Sequence, residues 1–312
     1  MVRWITSQQA TSFMRELAQK VPLEVKPASA FIPPAAGNSY NPQDTPTLAG
    51  KVAINIYDHL TKRGAPLTKT PTEFIKAGRD AITQFPTVIS RHAPGFTYGS
   101  SRTPGQTSFH HDTSPGDTPM ATSDFLYYFN TSGAHRKIKR SAHPEVRGYI
   151  TIKQTHANKI PELFVKLVKR LKDANVEFDA KATSPYGAET RNDHMVFYIP
   201  QPHQEKARDV MKKFLEEEKV GEGKAGQSPI VTNIAGSTAG LSWAFEPDQE
   251  EIKIGHEISG ASTGISHNRL AALAATPHYL ERIAQAHEQT GNHKEAKIFR
   301  DEAKRVEHIL AR

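Results

Sequence analysis

Residues 147–200 read RGYITIKQTHANKIPELFVKLVKRLKDANVEFDAKATSPYGAETRNDHMVFYIP, and the changes of period along them decide the fold. With Val146 in front, the opening VRGYITIKQ alternates. Tyr149, Thr151 and Lys153 point one way and Ile150 and Ile152 the other, which is the period of two of a half-buried strand. From Ile160 the period changes. Ile160, Leu163, Phe164, Leu167, Val168, Leu171 and Ala174 follow the i, i+3, i+4, i+7 spacing of an amphipathic helix packed on a sheet. Pro161 suits its first turn, where a missing N–H costs little. Residues 176–181 return to period two, with Val176, Phe178 and Ala180 on one face. After a loop containing Pro185 and Gly187, residues 194–200 (HMVFYIP) read as a third strand. Strand, helix, strand, strand makes an α+β unit. Its non-core strand faces collect Arg147, Tyr149, Lys181 and Tyr198, with Arg191 at the end of the loop. From the residues alone two readings stand: a solvated sheet face with ordinary charges, or a cationic site. Arg191 is itself flanked by Glu189 and Asp193, either of which could neutralise it.

Outward from this unit the pattern is mostly helical. Phe13, Met14 and Leu17 mark a short amphipathic helix within residues 6–21, and the Pro-, Ala-, Asn- and Ser-rich residues 22–46 predict a linker. Val52, Ala53, Ile56, Tyr57 and Leu60 form a helical stripe ending near Gly64. Thr70 and Pro71 predict a cap and a first-turn proline, opening a helix through Phe74, Ile75, Ala81, Ile82 and Phe85. Residues 92–124 lose apolar content to Gly, Ser, Thr and Pro and predict a mobile loop, with an active-site lid as the alternative; FLYYFN at 125–130 is a short aromatic strand, and a basic run follows at 135–140. Beyond Pro200 the pattern predicts a helix over 206–218, a linker over 221–226 and a strand over 230–234. A small-residue turn and apolar strand follow over 237–246, then helices over 268–275, 279–290 and 293–311, the last two a hairpin about Gly291 and Asn292. The expected fold class is α+β: a central, mostly antiparallel mixed sheet with flanking helices, a helical N-terminal region and a C-terminal helical hairpin. The expected division is a helical, linker-rich region over 1–123 and an α+β domain over 124–312.

Composition removes several kinds of chemistry. The chain has no cysteine, which excludes disulfides, thiolate nucleophiles and cysteine-bearing zinc sites and fits a reducing compartment. No stretch of about twenty apolar residues is present to span a membrane. The N-terminal residues lack the apolar core of a signal peptide. A net charge of +7 admits anionic partners, yet 33 acidic residues are interspersed with the basic ones and no basic run is interleaved with stacking aromatics. Neither nucleic acid nor a membrane is therefore an expected partner. His110, His111 and Asp112 are metal-ligand types, but consecutive residues rarely converge on one ion, and no metal is expected. A GxSxG elbow, a P-loop, a strand-borne GxGxxG and an HExxH are all missing. What remains is a cationic face suited to holding phosphate and moving a proton. Arginine offers a planar fork for phosphate oxygens, and a lysine can act as a base where burial or neighbouring cations lower its pKa.

Several dispersed motifs, in order, carry a resemblance over residues 147–269. They are GYITI at 148–152, Lys181 ahead of Pro185-Tyr186-Gly187, Asp193 leading into VFYI, STAGLSWA at 237–244, and Ser266-His267-Asn268-Arg269 opening a helix. Together they resemble the HopA-type bacterial type III effector family, whose relatives include lyase components of lanthipeptide-type biosynthesis. The layout is more distantly similar to the phosphothreonine lyases of enteric effectors, which remove phosphate by β-elimination. The resemblance implies a phosphorylated peptide or protein substrate, no cofactor, and Lys181 as base. It also implies Tyr149 or His267 as acid and Arg147, Arg191, Arg269 and Tyr198 around the phosphate. Tyr149 stands where the lyases carry histidine, and Arg269 substitutes for a late arginine pair that has no match here. The resemblance further implies a bacterial cytoplasmic origin and one of two settings, a lanthipeptide-type biosynthetic pathway or type III delivery into host cells, the latter with an N-terminal region that engages a secretion chaperone. A non-enzymatic effector that binds a host protein with the same scaffold is the alternative.

Overall fold

Four short segments with period-two patterning, FLYYF, EVRGYI, MVFYIP and LSWAF, are adjacent or near-adjacent strands of one sheet. The computed structural model describes residues 8–31, 46–61, 68–99, 108–111, 125–129, 145–222, 240–261, 265 and 267–312. In chain order the helices are α1 (Gln8–Lys20), α2 (Leu48–Thr61), α3 (Pro71–His92), α4 (Ile160–Asp173), α5 (Pro185–Thr190), α6 (Gln204–Glu218), α7 (Gln249–Ser259), α8 (His267–Gln289) and α9 (His293–Leu310). The strands are β1 (Thr97–Gly99), β2 (Ser108–His111), β3 (Phe125–Phe129), β4 (Glu145–Ile150), β5 (Asp179–Thr183), β6 (Met195–Pro200) and β7 (Leu241–Phe245). They form a seven-stranded sheet in the order β1-β2-β3-β5-β6-β4-β7. The β1–β2 pair is parallel and every other pair antiparallel, so the fold is the α+β class with a mixed sheet.

Packing divides the chain into two compact units: Met1–Leu60 with Pro247–Arg312, and Thr61–Glu246. The division expected at residue 123 therefore runs through the second unit, because β1 and β2 pair onward into β3.

In the sheet unit one face is apolar. Leu126, Tyr128, Ala180, Ala182, Met195, Phe197, Ile199, Val146, Ile150, Leu241 and Trp243 are all buried. Phe164 of α4 meets Phe197, with ring centroids 6.2 Å apart, and Phe109 of β2 at 5.9 Å. Gly148 pairs with Trp243, and a Cβ there would stand 3.1 Å from the indole ring, a contact that only a shift of the ring would relieve. On α3, Thr70 is the N-cap of a complete capping box with Glu73, and Phe85 reaches Phe109 at 5.6 Å.

The helical unit contains α1, α7, α8 and α9 and nearly all of α2. Asn292 caps α9 by accepting from the Glu295 N–H, after a turn in which Gly291 takes a positive φ. Phe31 packs edge-on against Phe299, centroids 5.9 Å apart, and Glu302 accepts from the Ala49 N–H at 2.9 Å.

Five readings change. Residues 97–99 and 108–111, expected within a loop, are strands β1 and β2, because Phe109 buries among Phe85, Phe96, Tyr128 and Phe164. The loop after β5 contains α5, whose N-cap Ser184 accepts from the Gly187 N–H. The middle strand begins at Asp179 rather than at 176. Helices expected at 268–275 and 279–290 are one, since buried Leu270, Leu273, Leu280 and Ile283 on both sides of Pro277 outweigh one lost hydrogen bond. Finally, α7 has a clear start, with Asp248 and Glu251 forming a capping box, in a segment that carries too few apolar residues to stand out. The strand expected over 230–234, the basic run at 135–140 and Asp112 lie outside the described residues.

Candidate functional site

Pairing fixes which side chains share a face, because residues directly opposite in a ladder point the same way and the period along each strand is two. Asp179 of β5 is opposite Tyr198 of β6, and Tyr198 is opposite Arg147 of β4. One step along, Tyr127, Lys181, Val196, Tyr149 and Ser242 follow one another across β3, β5, β6, β4 and β7. Arg147, Tyr149, Lys181 and Tyr198 therefore lie together on the face opposite the aromatic core. The Arg147 guanidinium stacks on the Tyr198 ring, 4.8 Å from its centroid.

Arg191 joins them from the turn between α5 and β6. Its guanidinium grips Asp193 with both arms, Nε to Oδ1 at 2.7 Å and Nη2 to Oδ2 at 2.9 Å. Burial alone would raise the Asp193 carboxyl, but Arg191 beside it, with Lys181 also acting on it, holds it below the usual carboxylate range. Asp193 also acts electrostatically on the Tyr149 phenol, as do Arg147 and Tyr198. Asp193 thus binds Arg191 directly and is coupled through its charge to Lys181 and Tyr149.

The turn that carries Arg191 and Asp193 is fixed by its neighbours. His194, fully buried, accepts the Ile152 N–H at Nδ1 (2.8 Å) and places Nε2 2.8 Å from the Arg191 carbonyl. Thr151 donates to the Asn192 carbonyl at 2.6 Å. Glu189, at the C-terminal end of α5, is buried and held by the Thr68 N–H (2.8 Å), the Thr68 hydroxyl (2.7 Å) and Lys69. Burial opposes its charge, and these donors outweigh that and lower its pKa. Glu189 is thereby committed to Lys69 and Thr68, and Asp193 is the acid that neutralises Arg191.

Arg147 is likewise engaged. Glu246, just past β7, accepts from Nη2 at 2.9 Å and meets Nε as an ion pair. Burial pushes the Tyr149 phenol well above its ordinary value against the opposing pull of Arg147, so Tyr149 stays protonated, a donor rather than a ready proton source.

Among the seven residues predicted for the site, the sheet unit brings together Arg147, Tyr149, Lys181, Arg191 and Tyr198. His267 and Arg269 stand in the first turn of α8, in the helical unit. Asp193 and Glu246 enter the site as acids paired to its arginines. Asp193 was visible as a neighbour of Arg191; Glu246 lies two residues beyond Ala244, the residue opposite Arg147, and only strand register brings it there. Among the described residues no group of three or more His, Cys, Asp or Glu could hold a metal ion. His111 instead meets the Tyr98 hydroxyl through Nδ1 at 2.7 Å.

The sequence profile of the HopA1 effector protein family matches residues 117–298, which covers β3 through β7, the whole strand-borne group and most of the C-terminal helices. The chain belongs to the HopA1 effector protein family. This is a family of type III effectors, and membership fits delivery by a type III system into host cells and a role in virulence. Among the described residues no helix is long and apolar enough to cross a membrane. Two solved structures are similar to it. The effector protein from Pseudomonas syringae pv. tomato strain DC3000 has a TM-score of 0.44 at 12% identity, covering 91% of this chain and 96% of that one. The effector protein from Pseudomonas syringae pv. syringae strain 61 has a TM-score of 0.42 at 11% identity, covering 91% and 94%. Among curated proteins no match was found.

Proposed function

We propose that this HopA1-family effector is a phosphothreonine or phosphoserine lyase that removes phosphate from a peptide or protein by β-elimination. One observation carries the reading: an amine, two guanidinium groups and two phenols from β4, β5, β6 and the turn before β6 share one face of the sheet. Arg147 and Arg191 take the phosphate oxygens, exchanging their carboxylate partners for it, and the Tyr198 hydroxyl adds a donor. Lys181, in its neutral form, removes the Cα proton. The Cα–H pair becomes the new Cα=Cβ bond, and the Cβ–O pair leaves with phosphate. Tyr149, protonated because it is buried, donates a hydrogen bond to the departing oxygen. Charge stabilisation by the arginines then carries much of the rate. The N-terminal region is the part we assign to a secretion chaperone.

A second reading has its own support. Arg147 and Arg191 are each already matched by a carboxylate, as a non-enzymatic effector that binds a host protein would keep them. Mass spectrometry of a phosphothreonine peptide incubated with the protein separates the two. Loss of the elements of phosphoric acid, leaving an alkene that a thiol can trap, is the expected result. Loss of metaphosphoric acid alone indicates a phosphatase, and an unchanged peptide across a panel of phosphopeptides favours the binding effector.

A further inference from the structure

Arg147, Lys181 and Arg191 share their face with Asp193, Glu246 and Asp179. The ion pairs are partly shielded, with side-chain exposures of 18% for both Arg147 and Glu246 and 15% for Asp193. Phosphate that takes the arginines leaves these carboxylates beside a dianion, where like charges repel and water screens them only in part. A substrate that carries only the phosphate worsens the site's charge balance. A substrate that also carries a cation next to the phosphorylated residue restores it.

We infer that Glu246 and Asp193 are specificity determinants: they select phosphothreonine or phosphoserine segments with a lysine or arginine beside the phosphoresidue and reject acidic ones. This rests on the lyase reading and adds the substrate class. Discrimination arises from a charge left unpaired against the wrong substrate as much as from attraction to the right one. The positions support it. Glu246 accepts from Arg147 at 2.9 Å and Asp193 from Arg191 at 2.9 Å, so each acid stands beside a phosphate held by its arginine.

The test compares kcat/KM for two phosphothreonine peptides that differ only in lysine or glutamate beside the phosphothreonine. The wild-type protein should favour the lysine peptide by about tenfold, the ratio that a single partly shielded charge pair supports. Glu246→Gln should narrow that gap, chiefly by raising kcat/KM for the glutamate peptide. Asp173→Asn, which removes an exposed acid at the far end of α4, should leave the ratio as it was. Equal rates on both peptides, a preference for glutamate, or an unchanged ratio in Glu246→Gln would overturn the specificity while leaving the lyase standing. Elimination from neither peptide would overturn both.

Discussion

The two faces of the sheet are built from alternate residues of the same strands, yet they are held together in different ways. On one face Phe197, Trp243, Ile150 and their neighbours bury non-directional apolar surface, which any good fit to α4 and α6 satisfies. On the other, Arg147, Arg191, Lys181 and Tyr198 are arranged by direction and charge, each arginine with a carboxylate at hydrogen-bond distance. The comparison implies that stability resides in the first face and chemistry in the second. Polar groups at this density on a sheet face add little to folding and are costly when mispaired.

The largest expected effect comes from breaking the apolar face. Phe197→Ala should cost about 3–5 kcal/mol, the range for emptying a large aromatic site in a core, read by urea unfolding. Next is Gly148→Ala, which forces a methyl group against the Trp243 ring and should cost about 1–3 kcal/mol. Asp193→Asn should cost about 1 kcal/mol at neutral pH, because the pair is partly exposed to solvent. Its pH dependence has a definite sign. The folded Asp193 pKa lies below its ordinary 3.8, so its contribution is present above that value and fades as pH falls through the lower folded one. Unfolding of the wild type and Asp193→Asn should therefore differ at neutral pH and converge in acid. Lys181→Met sits at the small end for stability, within about 0.5 kcal/mol. If it instead unfolds the protein, the division of labour between the two faces is wrong.

Much of this was legible in the sequence, and the reasons for what was not are local. Period two at 146–152 and the stripe from Ile160 to Leu171 placed β4 and α4, since both patterns extend over enough residues to be unambiguous. The α+β class and the site's sheet-borne residues followed from there. β1 and β2 were missed because three or four residues carry no period, and only tertiary aromatic packing identifies them. The pairing of Arg147 with Glu246 joins residues 99 positions apart and depends on β7 lying beside β4, which no local pattern states. His194 reads as an ordinary strand-start residue, and its two hydrogen bonds appear only once 152 and 191 are brought together.

The claim that the polar face is a lyase site centred on Lys181 is tested most directly by the elimination rate of Lys181→Met against wild type on one phosphothreonine peptide, with circular dichroism establishing that both are folded. A fall of about a hundredfold or more, the contribution of a positioned general base, is the predicted result. Unimpaired elimination by the folded variant would contradict it.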